Sequence, residues 1–238
     1  MVLTRVSGFF LFVPILGSET IPVLMRISAT LLLSIFFSIT NPPMVSIHDV
    51  STVQTIILLG GEATYGLALG IIASIIFSIV KLGGMIIEHQ MGLTMAEVID
   101  PLTEEHGQPL GSLLEMIFVI AFLAANGHHI FIKVIQRSYE LFPAGKIPTI
   151  ASLAGNMLEA TSMLLIAGLR ISAPILAALL VLLVALAILA KIVPEMDIFF
   201  ISFPLRLLLG LLMLVAFVPF IDEFVGETAQ LMAKLLPL

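Results

Sequence analysis

Glu62, Gly66 and Gly70 stand at i, i+4 and i+8, which places a carboxylate and two glycines on one side of any helix that contains them. Gly66-x-x-x-Gly70 is a small-residue face that admits another backbone at close range. A charge at the centre of a bilayer costs about 2.5–3.5 kcal/mol on insertion scales, so Glu62 must face protein or water. Two readings follow. One is a buried structural contact beside a tight helix crossing; the other is a polar, proton-coupled position on a pathway. Arg170 is the cationic counterpart, near the start of an apolar run, where its long stem lets the charge snorkel.

Other chemistry is poorly supported by spacing. His128 and His129 are adjacent and project about 100° apart on a helix, so they do not clamp an ion as an i, i+4 pair does. Glu88-His89 lacks a second histidine at zincin spacing, and no Gly-x-Ser-x-Gly elbow, phosphate loop or dinucleotide fingerprint occurs. No catalytic residue, metal or cofactor is expected, and an enzyme is the losing reading. Met91 and Met95 lie one turn apart, between Gly83-Gly84 and Asp100-Pro101. Unbranched thioethers suit a seal that closes around changing shapes; the plainer reading is core packing.

The elements that hold these residues must be apolar helices. Of 238 residues, 60% are hydrophobic and 11% charged, whereas an ordinary soluble domain carries about 25% charged residues. Mean hydropathy is +1.20. Cysteine is absent, which excludes disulfides and thiolate metal sites. The formal charge of −6 argues against nucleic acid, whose phosphates need clustered Lys and Arg. No cleavable signal peptide is expected, since Arg5 alone would form its basic region and Pro14 interrupts its end.

Charge-free runs cover 27–47 (helical only as far as Asn41-Pro42-Pro43), 63–80, 116–132, 171–190 and 207–221, the last extended by 198–204 if Arg206 is tolerated. A span needs about 20 apolar residues, and 6–18 is too short alone. Five to six bent helical segments in an all-α membrane protein are expected. Gly83-Gly84, Gly92, Pro174, Pro194 and Pro204 should each loosen or break a helix. Such backbone survives at membrane depth only against protein or a wet cavity. Lys133, Arg137 and Lys146 cluster around Pro143-Ala144-Gly145, which the positive-inside rule puts on the cytoplasmic side. Residues 222–238 alternate acidic and apolar types and predict an amphipathic tail helix, packed on a partner or lying in the membrane interface.

The order of unusual residues is more specific than any one of them. Arg5-Val6-Ser7-Gly8-Phe9-Phe10 precedes Pro14, Pro22 and Arg26; Glu62, Gly66 and Gly70 follow; then come Gly83, Gln90-Met91-Gly92-Leu93, Asp100-Pro101 and Asn126-Gly127-His128. Gly168, Pro174, Pro194 and Ile198-Phe199-Phe200-Ile201-Ser202-Phe203-Pro204 before Gly210 complete the series. This succession resembles the FliR family of the flagellar type III export apparatus, with injectisome relatives sharing much of it. The resemblance covers nearly the whole chain. It departs in four places: members usually carry about one more helix, ~20 residues, before the Arg-Val-Ser-Gly stretch, so a shortened opening helix or a misassigned start is expected; Met85 replaces an acidic residue; and Ala187 and Ser202 stand where glycine is common.

The resemblance implies a subunit that completes a helical ring with FliP-like and FliQ-like subunits, a protein-conducting gate for unfolded flagellar export substrates. FlhA-like and FlhB-like components act below it, at the flagellar basal body in the bacterial cytoplasmic (inner) membrane, with part of the surface on membrane lipid. It also implies a FliP-like part over 1–148, a FliQ-like hairpin and tail over 149–238, and a plug over 91–111. The plug would use Met91, Gly92, Met95, Asp100, Pro101, Glu104, Glu105 and Gly107. Glu62, Gly66, Gly70, Arg170, Pro174, Phe203 and Pro204 would serve helix packing and buried polar contacts. The rival readings are an injectisome gate subunit and a stand-alone secondary transporter, the latter disfavoured because no internal repeat is visible.

Overall fold

A computed structural model describes residues 1–14, 21–40, 51–93, 108–146, 148–195 and 197–235. All regular structure among these residues is helical: α1 (Val2–Phe12), α2 (Val23–Thr40), α3 (Thr52–Met91), α4 (Pro109–Ala124), α5 (His128–Leu141), α6 (Ile150–Ile192), α7 (Ile198–Phe217), a 3₁₀ turn (Val218–Phe220) and α8 (Ile221–Leu235). Among the described residues four helices are long and apolar enough to cross a membrane, or five if α4 and α5 count as one broken span. The all-α class with apolar spans is therefore as expected.

Local chemistry sets the helix ends. Ser51 and Gln54 cap α3 reciprocally, Gln54 N–H donating to Ser51 Oγ at 3.4 Å and Ser51 N–H to Gln54 Oε1 at 3.1 Å. Thr149 Oγ1 accepts from Ser152 N–H at 3.4 Å at the start of α6. α3 stops at Gly92, whose φ is +84°. Leu93 N–H then bonds Glu88 O and Gly92 N–H bonds His89 O, the paired closure that a left-handed residue permits. Asn126, with φ +59°, ends α4 the same way: Gly127 N–H bonds Phe122 O and Asn126 N–H bonds Leu123 O.

Several expectations are corrected. The run 116–132 is not one helix, because Asn126 turns the chain and α5 restarts at His128. Gly83-Gly84 breaks nothing; α3 runs through it for 40 residues. Pro174 and Pro204 likewise lie inside α6 and α7, where the neighbouring turns carry the helix past the one missing N–H. Arg170 is mid-helix in the 43 residues of α6, not near a start. At 1.5 Å per residue α3 and α6 are about 60 Å or more long, against a hydrocarbon core of about 30 Å. α7 passes through Arg206, and α8 is the expected tail helix, with Ile221, Val225, Thr228 and Met232 buried along one side.

The described chain divides into two compact units, residues 1–77, 122–163 and 226–238 in the first and 78–121 and 164–225 in the second. The first unit has an aromatic core. Phe131 packs on Phe9, Phe77 and Phe122, and Phe37 on Tyr139, with ring centroids 4.9–6.1 Å apart across the cluster. The second is built on Ile87, Met91, Phe118, Ile175 and Leu179, each no more than 1% exposed. Burial is uneven among the long helices: the most apolar window of α3 is 56% buried, while those of α2, α6 and the span Phe200–Phe220 are 11%, 17% and 11% buried. Those three therefore direct most of their apolar side chains away from the chain itself.

Candidate functional site

The densest polar arrangement in the first unit is centred on Arg5 and Glu62. α1 lies against α3 at three glycines. A Cβ on Gly8 would meet Ala63 O at 2.9 Å, one on Gly70 would meet Phe9 O at 2.6 Å, and one on Gly66 would overlap the Arg5 carbonyl. Missing side chains thus bring the two backbones together. That approach delivers Arg5 to Glu62, with side-chain exposures of 1% and 0%.

The pair is doubly bonded. Arg5 Nε donates to Glu62 Oε2 at 2.6 Å and Nη2 to Oε1 at 3.0 Å, the fork geometry that makes Arg–carboxylate contacts strong. Nη1 donates to Ser138 O at 3.1 Å and Phe142 O at 2.8 Å, carbonyls at the C-terminus of α5 where a cation is favoured. Glu62 Oε1 also accepts from Gly145 N–H at 2.7 Å. Tyr65 and Tyr139 bring their rings to 4.8 and 4.3 Å from the guanidinium carbon, a contact that is favourable when desolvated. Tyr139 Oη donates to Val2 O at 3.3 Å. One closed ion pair therefore ties α1, α3, the end of α5 and the turn at 142–145.

Chemically, this cluster holds its charges rather than offering them. Both carboxylate oxygens are engaged, and every guanidinium nitrogen donates. What it provides is fixed geometry.

The second unit repeats the device with other parts. Glu88 is 2% exposed, and its Oε2 accepts from Leu110 N–H at 3.2 Å and Gly111 N–H at 3.4 Å. These are free donors in the first turn of α4, after Pro109, and they favour an anion. Beside it, a Cβ on Gly84 would lie 2.7 Å from Gly111 Cα. Gly84 and Glu88 have the same one-turn spacing as Glu62 and Gly66. In both, glycine admits the partner backbone; Glu62 then binds the Arg5 side chain that backbone carries, whereas Glu88 accepts backbone N–H groups of the partner helix itself. Lys81 and Glu115 pair at 3.3 Å but are 39% and 30% exposed, so this bridge contributes little.

Other sequence candidates fall as follows. Met91 is fully buried, its thioether filling the space above Gly210. Phe203 is 40% exposed and lies nearest the position a Cβ on Gly92 would take, at 3.8 Å. Arg170, Pro174 and Pro204 are exposed. Met95, Asp100, Pro101, Glu104, Glu105 and Gly107 lie outside the described residues. The His128 and His129 rings stand 4.3 Å apart, and among the described residues no three His, Asp or Glu side chains gather as a metal site. Sequence reading missed Arg5 as the partner of Glu62 and Glu88 as the cap of α4; the one signal was the glycine one turn from each carboxylate.

Comparison with known proteins adds an independent finding. Residues 1–232 match the family described as bacterial export proteins, family 1. The chain is similar to the flagellar biosynthetic protein FliR of Bacillus subtilis, 29% identical over 90% of this chain and 83% of the relative. It is likewise similar to FliR of Escherichia coli K12, 30% identical over 93% of this chain and 84% of the relative. A more distant likeness is to the Yop proteins translocation protein T of Yersinia pestis, 25% identical over 91% and 84%.

Proposed function

This chain belongs to the bacterial export proteins, family 1, and from that premise we propose that it is a membrane subunit of the flagellar type III protein export gate. The observation that carries this reading is the match over residues 1–232, nearly the full chain. We read it as a channel component, not an enzyme, in the bacterial inner membrane, completing a ring with FliP-like and FliQ-like subunits above FlhA-like and FlhB-like components. Unfolded flagellar subunits are its passengers.

The largely unburied apolar helices α2, α6 and α7 supply surfaces for sister subunits and lipid in such a ring. The Arg5–Glu62 and Glu88–α4 clusters keep the framework rigid while passengers pass. In the same reading residues 1–148 are the FliP-like part and 149–238 the FliQ-like hairpin and tail, and the segment 91–111 is the plug.

Co-expression with FliP-like and FliQ-like proteins tests the proposal. A stable complex that restores secretion of flagellar hook protein to a strain lacking its own FliR is expected. A well-behaved monomer that fails to join or restore secretion would count against it. The likeness to the Yop translocation protein keeps an injectisome passenger as the second reading, which rescue of virulence-type secretion but not of motility would favour.

A further inference from the structure

α5 has a side that the fold leaves unused. His129, Lys133 and Arg137 stand at i, i+4 and i+8 and are all exposed, so they form one stripe. The opposite side, with Phe131, Val134, Ile135, Ser138 and Tyr139, is buried. Phe131 packs on Phe9, and Tyr139 on the Arg5 guanidinium. The apolar side is thus committed to the chain's own core, and the exposed residues of α5 before Leu141 are all polar.

Neither Lys133 nor Arg137 joins an ion pair among the described residues. The carboxylate on this helix, Glu140, accepts from Gln136 Nε2 at 3.2 Å. Lys146 is exposed just past the turn that follows α5. In the chain, α5 comes directly after the apolar α4, across the break at Asn126.

We propose that the His129–Lys133–Arg137 stripe docks on anionic phospholipid headgroups, with phosphate oxygens accepting from Lys133 and Arg137. Sinking α5 into the hydrocarbon would place two cations there at high cost, whereas laying it at the headgroup level gives both a counter-charge. Each Lys or Arg near an anionic leaflet raises affinity about fivefold, and a guanidinium fits phosphate through two parallel hydrogen bonds. An acidic protein surface offers similar charges. Lipid is favoured because from His128 to Glu140 no Phe, Tyr or aliphatic side chain is exposed, Ile130 and Ile132 being half-buried, and protein interfaces centre on such anchors. The apolar α4, 16 residues long, comes directly before α5 in the chain, which points the same way. The inference does not depend on what passes through the assembly.

The test uses the full chain purified with its co-expressed neighbours in detergent containing equal amounts of phosphatidylglycerol and phosphatidylcholine, retained lipid being counted by mass spectrometry. Phosphatidylglycerol should be enriched. The Lys133→Gln/Arg137→Gln variant should lose that enrichment on the order of twentyfold, while Lys191→Gln and the charge-preserving Lys133→Arg/Arg137→Lys retain it. Should the neutral variant fail to accumulate, the wild type decides: raising salt from 0.1 to 1 M shortens the screening length from about 10 to about 3 Å and should release phosphatidylglycerol but not phosphatidylcholine. Equal lipid ratios in wild type and neutral variant, salt-insensitive retention, or loss of an acidic protein partner with the lipid ratio unchanged would each overturn the proposal.

Discussion

Arg5 Nε donates to Glu62 Oε2 over 2.6 Å, across 57 residues of chain, with both side chains shut away from solvent. The contact exists because α1 and α3 approach at glycines, and it makes the opening helix part of the core.

Removing one partner leaves the other charged and buried, which costs about 3–5 kcal/mol. Arg5→Ala and Glu62→Ala should each depress thermal stability in detergent by that order. The double replacement Arg5→Met/Glu62→Leu should lose much less than the sum of the two single changes. Strict additivity would show that the pair is not coupled.

A methyl group at Gly66 has no room beneath the Arg5 carbonyl, whereas one at Gly155 meets nothing within 4 Å. Gly66→Ala should destabilise by about 1–3 kcal/mol through overpacking. Gly155→Ala should stabilise the isolated chain by up to about 1 kcal/mol from helix propensity. If Gly155→Ala also reduces co-purification with FliQ-like subunits, that bare face is covered in the assembly. Thermal melts of the single chain set against complex yield separate the two effects.

Glu88 caps α4 from another helix. Glu88→Ala should cost about 0.5–2 kcal/mol, the usual range for a lost cap. The local signature is faster hydrogen exchange at the Leu110 and Gly111 amides, with α5 amides unchanged. Uniform acceleration throughout the chain would mean a global rather than a capping effect.

Deleting residues 103–108 removes Glu104, Glu105 and Gly107 from the proposed plug. The resting complex should then pass ions or small solutes across the membrane. Conductance of the reconstituted deletion complex no higher than that of wild type would remove residues 103–108 from any sealing role.

Composition by itself determined the class. With 11% charged residues no water-facing surface can be covered, and the order of glycines, prolines and polar residues along the chain by itself points to the export family. Helix ends with local chemistry were partly visible too: Asn41-Pro42-Pro43 follows the end of α2 at Thr40, and Gly92 ends α3, because capping and proline sterics act within a few residues.

The breaks expected at Gly83-Gly84, Pro174 and Pro204 did not occur, since the hydrogen bonds of the neighbouring turns carry a long helix past a local penalty of one to a few kcal/mol. Conversely, Asn126 stops α4 with no proline at all, by a left-handed turn that Phe122 and Leu123 carbonyls complete. Only the tertiary structure decided what Glu62 and Glu88 face. Periodicity tells which residues share a side of a helix. It does not tell whether an arginine 57 residues away, or the bare N–H groups of another helix, will be brought to that side, because such partners are chosen by three-dimensional packing between segments remote in sequence.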